Sequence, residues 1–183
     1  MQFPVNYRTL AALCLTLSLG QLSAATLQRL SLDEMIGKST AIVRGKVASS
    51  YSAAAGPIVY THYVVQVSER YKGGAGNTVD VAIPGGMLNG LRQTFAGTPS
   101  FNTGEEYVFF LWTGKSGVTQ VIGLTQGLFA VAGDGSSDPM VTRAASRELL
   151  LDGATGKPVP AERMSMRASE LRWRIAKTLG GAQ

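Results

Sequence analysis

One cysteine and one histidine occur in 183 residues, and that scarcity excludes more chemistry than any motif establishes. Cys14 falls inside the apolar run that opens the chain, so the remainder carries no disulfide framework, no Cys/His zinc cluster and no Cys-His dyad. With His62 as the lone imidazole, an HExxH zinc site is excluded too, and no GxSxG elbow presents a serine to it. Carboxylate pairs are as scarce. Glu105 and Glu106 are adjacent at the entrance to a strand, so their side chains point to opposite faces and cannot share a substrate. GDGSSD, Gly133 to Asp138, lacks the alternating acidic ligands and distal glutamate of a calcium loop and reads as a turn.

Long apolar runs are also missing. The longest, Thr9 to Gly20, is well short of the roughly 20 residues that span a bilayer. It follows Arg8 and precedes Ser23-Ala24-Ala25, the pattern of a secretory signal peptide cleaved after Ala25. The chain is therefore expected to be exported, periplasmic or secreted. Residues 26–183 form one domain stabilised by its core, since a chain of that length buries roughly two thirds of its unfolded surface.

Charge is uneven. Thr26 to Pro139 carries 8 Lys/Arg against 8 Asp/Glu, while Met140 to Gln183 carries 8 against 4. The basic balance belongs to the C-terminal quarter and reads as a solvated helix face or an anionic-surface contact, not as nucleic-acid binding.

Gly37-Lys38-Ser39-Thr40 spells the end of a phosphate-binding loop. Such a loop needs a glycine five positions before the Gly-Lys pair, a strand before and a helix after. Position 32 is Leu, and Ser31-x-x-Glu34 is a capping box that starts a helix over Leu32 to Lys38, with a strand following from Ala41. The order is reversed, so no nucleotide is expected. Lys38 sits where a cation complements the helix C-terminal dipole.

Period-two alternation marks the strands. Ala41, Val43, Gly45 and Val47 share a face, and SAAAGP, Ser52 to Pro57, reads as a turn. In IVYTHYVVQVSERY, Val59, Tyr63, Val65, Val67 and Tyr71 lie on one face, with Tyr60, His62, Gln66, Ser68 and Arg70 on the other. TVDVAI alternates again, YVFFLW is apolar on both faces, and VTQVIGLTQGLFAVAG supplies one or two more strands. Pro84 to Gly104 is glycine-rich and irregular. Met164, Ala168, Leu171, Ile175 and Leu179 recur at helical spacing between Pro160 and Gly180-Gly181. These segments predict a mainly β fold: a five- or six-stranded OB-like antiparallel barrel over residues 26–145, a linker over 146–159 and a basic amphipathic helix over 160–183 packed on the barrel.

The strings STAIVRGKV, IVYTHYVVQVSERYKG, VAIPGG, GTPSFNTGEEYVFFL and VIGLTQGLFAV, in this order, resemble a family of exported bacterial domains of uncharacterised activity. The family's motifs read A-x-I-V-x-G-x-V, Y-T-x-Y-x-V-x-V, P-G-G, G-x-P-x-F-x-x-G-E and Q-G-x-F. The likeness spans Leu30 to Val131 and implies an association with matrixin-like metalloproteases. Ala41, Val43, Gly45 and Val47 are also distantly similar to the opening strand of the netrin and metalloprotease-inhibitor OB-fold class. Those inhibitors place a disulfide-fixed N-terminal cysteine on the protease zinc; the expected start at Thr26 and the missing cysteine depart from that mechanism.

The resulting expectation is an exported, non-catalytic binding protein whose partner is a protein or envelope component. It needs no metal, cofactor, nucleotide or nucleic acid, and any membrane contact is peripheral, through the C-terminal helix. The alternatives are a modulator of an extracytoplasmic metalloprotease and a hydrolase with a non-standard site. Candidate binding residues are Tyr60 and His62 on the long strand, Gly85, Gly86, Arg92 and Phe101 in the glycine-rich loop, and Arg172, Trp173 and Arg174 on the helix.

Overall fold

The computed structural model describes residues 25–181. The expected signal segment, Ala25 excepted, lies outside the described residues. No helix among the described residues is long and apolar enough to cross a membrane.

The chain is mainly β, with largely antiparallel pairing. β1 (Thr26–Gln28) leads into α1 (Leu32–Lys38), followed by β2 (Ala41–Ala55), β3 (Ile58–Lys72) and β4 (Thr78–Pro84). A small hairpin, β5 (Gly86–Leu88) and β6 (Leu91–Gln93), precedes β7 (Glu106–Thr113), β8 (Thr119–Val121), β9 (Leu128–Val131) and β10 (Met140–Arg143). The chain ends with β11 (Leu149–Leu151), β12 (Pro158–Val159), β13 (Met164–Arg167) and α2 (Ala168–Gly180). The main sheet runs β13-β10-β9-β7-β2-β3-β4, with β8 paired to β7 beside β9, and no ladder among the described residues closes it into a ring. β1 pairs with β11 in parallel, and β12 completes that small sheet.

α1 forms where its capping box dictates. Ser31 Oγ accepts from the Glu34 amide at 3.2 Å, and Glu34 Oε2 accepts from the Ser31 amide at 2.8 Å. Its last carbonyls are capped from a distance: Lys72 Nζ donates to the Ile36 oxygen at 2.7 Å and to that of Gly37 at 2.9 Å. Lys38 instead lies 3.7 Å from Glu34, one turn back. The Gly37-Lys38-Ser39-Thr40 string thus ends a helix and enters a strand.

Two cores flank the sheet. Met35, Ile36, Phe110, Phe129, Leu171 and Ile175 fill the one covered by both helices. Val43, Val47, Val65, Phe101, Phe109 and Leu111 fill the other. β7 feeds both, Val108 and Phe110 on one side and Phe109 and Leu111 on the other, which is why YVFFLW is apolar throughout.

Three expectations are corrected. β2 does not stop before a turn at Ser52; it continues to Ala55 and turns only at Gly56-Pro57, Gly56 supplying the positive φ of +60°. The segment 146–159 is not an unstructured linker, because β11 and β12 lie in it. The last helix begins at Ala168, not Pro160: Met164 to Arg167 pairs antiparallel with β10, and a strand's alternation there satisfies Met166 in the core as a helix would not.

Candidate functional site

The outer face of β2, β3 and β4 carries an ordered group of aromatic and charged side chains. Its origin is one irregularity. Val43 and Val47 face the inner core, and strict alternation would turn Tyr51 inward as well. The register shifts between Val47 and Ser49, leaving Ala48 unpaired, and this bulge moves every following residue to the opposite face. Tyr51 consequently stands opposite His62 on the outside.

From there the site assembles by cross-strand neighbours. The Tyr51 and His62 rings stack with centroids 4.8 Å apart and 14° between planes, and Tyr60, two residues along β3, meets His62 edge-on at 6.3 Å. On β4, Asp80 is the diagonal neighbour of His62, which pairs with Ala82. Asp80 Oδ2 accepts from the Tyr51 hydroxyl at 2.5 Å, and its Oδ1 lies 2.7 Å from His62 Nδ1. The hydrogen bond to this carboxylate holds the Tyr51 phenol above its usual range. Tyr51 remains 48% exposed. Sequence reasoning put Tyr60 and His62 on this face, missed Tyr51, and weighed Asp80 only with His62 and Glu105 for the hydrolase alternative, without placing it beside the rings. Counting equal numbers of residues back from the Gly56-Pro57 turn would have paired Tyr51 with His62.

The other sequence candidates separate. Gly85 and Gly86 take φ of +106° and +142°, and a Cβ on Gly86 would come within 2.6 Å of Thr61 Oγ1. The Gly85 amide donates to the Val59 carbonyl, and Thr61 Oγ1 donates to the Gly85 carbonyl, both at 2.8 Å. These glycines let the loop lie flat on the hairpin; they are joints. Arg92 is exposed on β6 opposite Met87. Phe101, expected on a binding face, is corrected to a core residue: it is 8% exposed and packs edge-on against Tyr63 at 4.8 Å and Tyr107 at 5.1 Å.

The C-terminal helix is docked. Ala168, Leu171 and Ile175 are buried, and Thr178 Oγ1 donates to Asp33 of α1 at 2.9 Å. Arg172 is engaged by Glu69 of β3 at 2.6 Å, and Arg174 by Glu170 at 2.7 Å. Trp173 projects 60% exposed, with Lys177 Nζ 5.0 Å from its ring centre.

Two further charges stand apart, Arg143 half-buried and Glu148 buried. Arg143 lies over the Phe129 ring at 5.8 Å with its Nη1 buried and no hydrogen-bond partner among the described residues, and burial, then Arg29, hold the guanidinium below its usual pKa. Glu148 is 7% exposed at the wall of a cleft of about 470 Å³ whose other walls include Ala25, Gly97, Thr125 and Ala144. No group of three or more metal-ligating His, Cys, Asp or Glu occurs among the described residues.

Comparison with known proteins adds no relative: the chain matches no family model, no curated protein and no solved structure.

Proposed function

We propose that this chain is an exported binding module, freed of its signal peptide after Ala25, that recognises a protein or envelope component through the outer face of β2, β3 and β4. The observation that carries the reading is the double tether on Asp80. It fixes two stacked rings in one orientation on the outer face, Tyr51 exposed and His62 partly covered, where neither belongs to either core. Rigid aromatic side chains present contact area at low entropic cost, which is what a recognition surface uses. Immobilised wild-type protein and a Tyr51→Ser/Tyr60→Ser/His62→Ser variant, challenged with envelope extract of the producing cell, test it. A species retained by the first and released by the second is the expected result; equal retention, or none, overturns it.

β8 pairs with β7 and lies against β4, an arrangement that supports an OB-like barrel left open along that seam. The resemblance to metalloprotease inhibitors then supports a second reading, a modulator of an extracytoplasmic metalloprotease. Unchanged turnover by a panel of zinc metalloproteases in its presence removes that reading. The His62–Asp80 pair favours a third, a hydrolase, since a carboxylate on Nδ1 orients an imidazole for proton transfer. Among the described residues no serine or threonine hydroxyl is bonded to His62 to serve as nucleophile. Ester and peptide substrates turned over by wild type and spared by His62→Gln would establish the hydrolase.

A further inference from the structure

Among the described residues Glu148 is a carboxylate without a counter-charge. Its Oε2 accepts from Thr125 Oγ1 at 3.3 Å and from Ser146 Oγ, while no hydrogen bond among the described residues reaches Oε1. No Lys, Arg or His nitrogen among those residues pairs with it. Oε1 faces Gly97, whose φ of +80° and lack of a side chain keep that space open; a Cβ there would stand 2.5 Å from it. Taking a carboxylate out of water costs free energy that a cation brought to its free oxygen offsets.

The cleft also contains the start of the structural domain. β1 and β11 run parallel with Thr26 opposite Leu149, and the Leu149 amide donates to the Ala25 carbonyl at 3.1 Å, so Ala25 lies at the level of Glu148. Ala25 and Glu148 are both walls of the cleft. Around them stand small side chains, Ala96, Ala144 and Ala145; Arg147 is the one other charged residue on the rim, and it is exposed.

We infer that export processing itself supplies the missing charge: the α-amino group created at Thr26 turns into the cleft and pairs with Glu148. Hydrolysis of the Ala25–Thr26 peptide bond takes up one water, leaves a carboxylate on Ala25 and, after protonation, an ammonium on Thr26. Departure of Ala25 vacates the wall it occupied, and the apolar surroundings strengthen the new pair. Maturation thereby gives Glu148 a partner that none of the described residues of the precursor supplies, and it stabilises the fold. This rests on the export reading above.

The test uses the chain from Thr26 with a free and with an acetylated α-amino group, each in wild-type and Glu148→Gln form. Acetylation is expected to lower the wild-type Tm by about 2–4 °C, the scale of one lost interaction in a domain of this size, and to leave Glu148→Gln unmoved. Titration of the free amine by NMR should show a pKa above the ordinary range of about 7.7–8.0, returning to it in Glu148→Gln. The stabilisation is then fully present below that range and disappears as pH rises through the raised value. Acetylation that is silent in wild type, or equally harmful in both backgrounds, overturns the pairing. Mass spectrometry of the exported protein separates the two readings. An N-terminus far from Thr26 refutes the processing site, whereas Thr26 as first residue with an unperturbed amine refutes the pair alone.

Discussion

Tyr51 and His62 stand directly opposite each other on β2 and β3, rings stacked at 4.8 Å, and both are bound to the one carboxylate of Asp80. The hydrogen bond from Tyr51 favours its protonated form, so Asp80→Asn is expected to bring the phenol down toward the ordinary value of about 10, read as phenolate absorbance. An unmoved titration would show that Asp80 does not hold the ring. Tyr107, pushed up to about 12 by burial and then Glu105, and Tyr71, raised by burial and then Glu69, shift in the same direction. Groups with raised pKa stabilise the fold below their unfolded value, so stability should be lost as pH climbs above about 10.

Gly45 and Gly37 should respond oppositely to the same substitution. A Cβ on Gly45 would collide with the Gln66 carbonyl oxygen and stand 2.7 Å from Val65 Cγ1, whereas nothing lies within 4 Å of one on Gly37. Gly45→Ala is expected to destabilise by about 1–3 kcal/mol in urea unfolding. Gly37→Ala, in an exposed helical position, should stabilise by about 0.5–1 kcal/mol.

The final helix divides in the same way between core and surface. Leu171→Ala removes a side chain that is 1% exposed and should cost about 2–5 kcal/mol. Trp173→Ala should stay within about 0.5 kcal/mol of wild type, because its ring is 60% exposed. A large loss from the tryptophan would mean that it packs on something in solution.

Arg143→Met removes a guanidinium whose buried Nη1 has no partner among the described residues, while keeping an apolar stem over Phe129. An unsatisfied buried donor costs about 1–3 kcal/mol, set against a cation–π contact of about 0.5–1 kcal/mol. Thermal unfolding is therefore expected to show no loss, and at most a modest gain. A clear loss would reveal that a bound ion or water satisfies the arginine.

The elements readable in the sequence are those whose signals are local. Ser31 and Glu34 are three residues apart and define α1 by themselves; the alternation of Val59, Tyr63 and Val65 needs nothing beyond β3. The continuation of β2 to Ala55 was hidden because the bulge at Ala48 breaks the period that identifies a strand. Met164, Ala168, Leu171 and Ile175 fit a helical repeat, yet the first belongs to β13, since its partner Arg143 lies elsewhere in the chain. The candidate site was half legible for a related reason. Tyr60 and His62 share a strand, but Asp80 joins them only through the pairing of β3 with β4, and Glu148 meets Ala25 only through the parallel ladder between β1 and β11.

Met35 and Ile36 near the beginning, and Leu171 and Ile175 near the end, are walls of one core. A chain emerging from its N-terminus can therefore complete the β2–β3 hairpin early, while Phe110 and Phe129 stay uncovered until the last helix arrives. Contacts of such long sequence separation make folding slow, and here they also make it late. Only a finished polypeptide can close, so an interrupted or shortened one exposes its most apolar surface to aggregation.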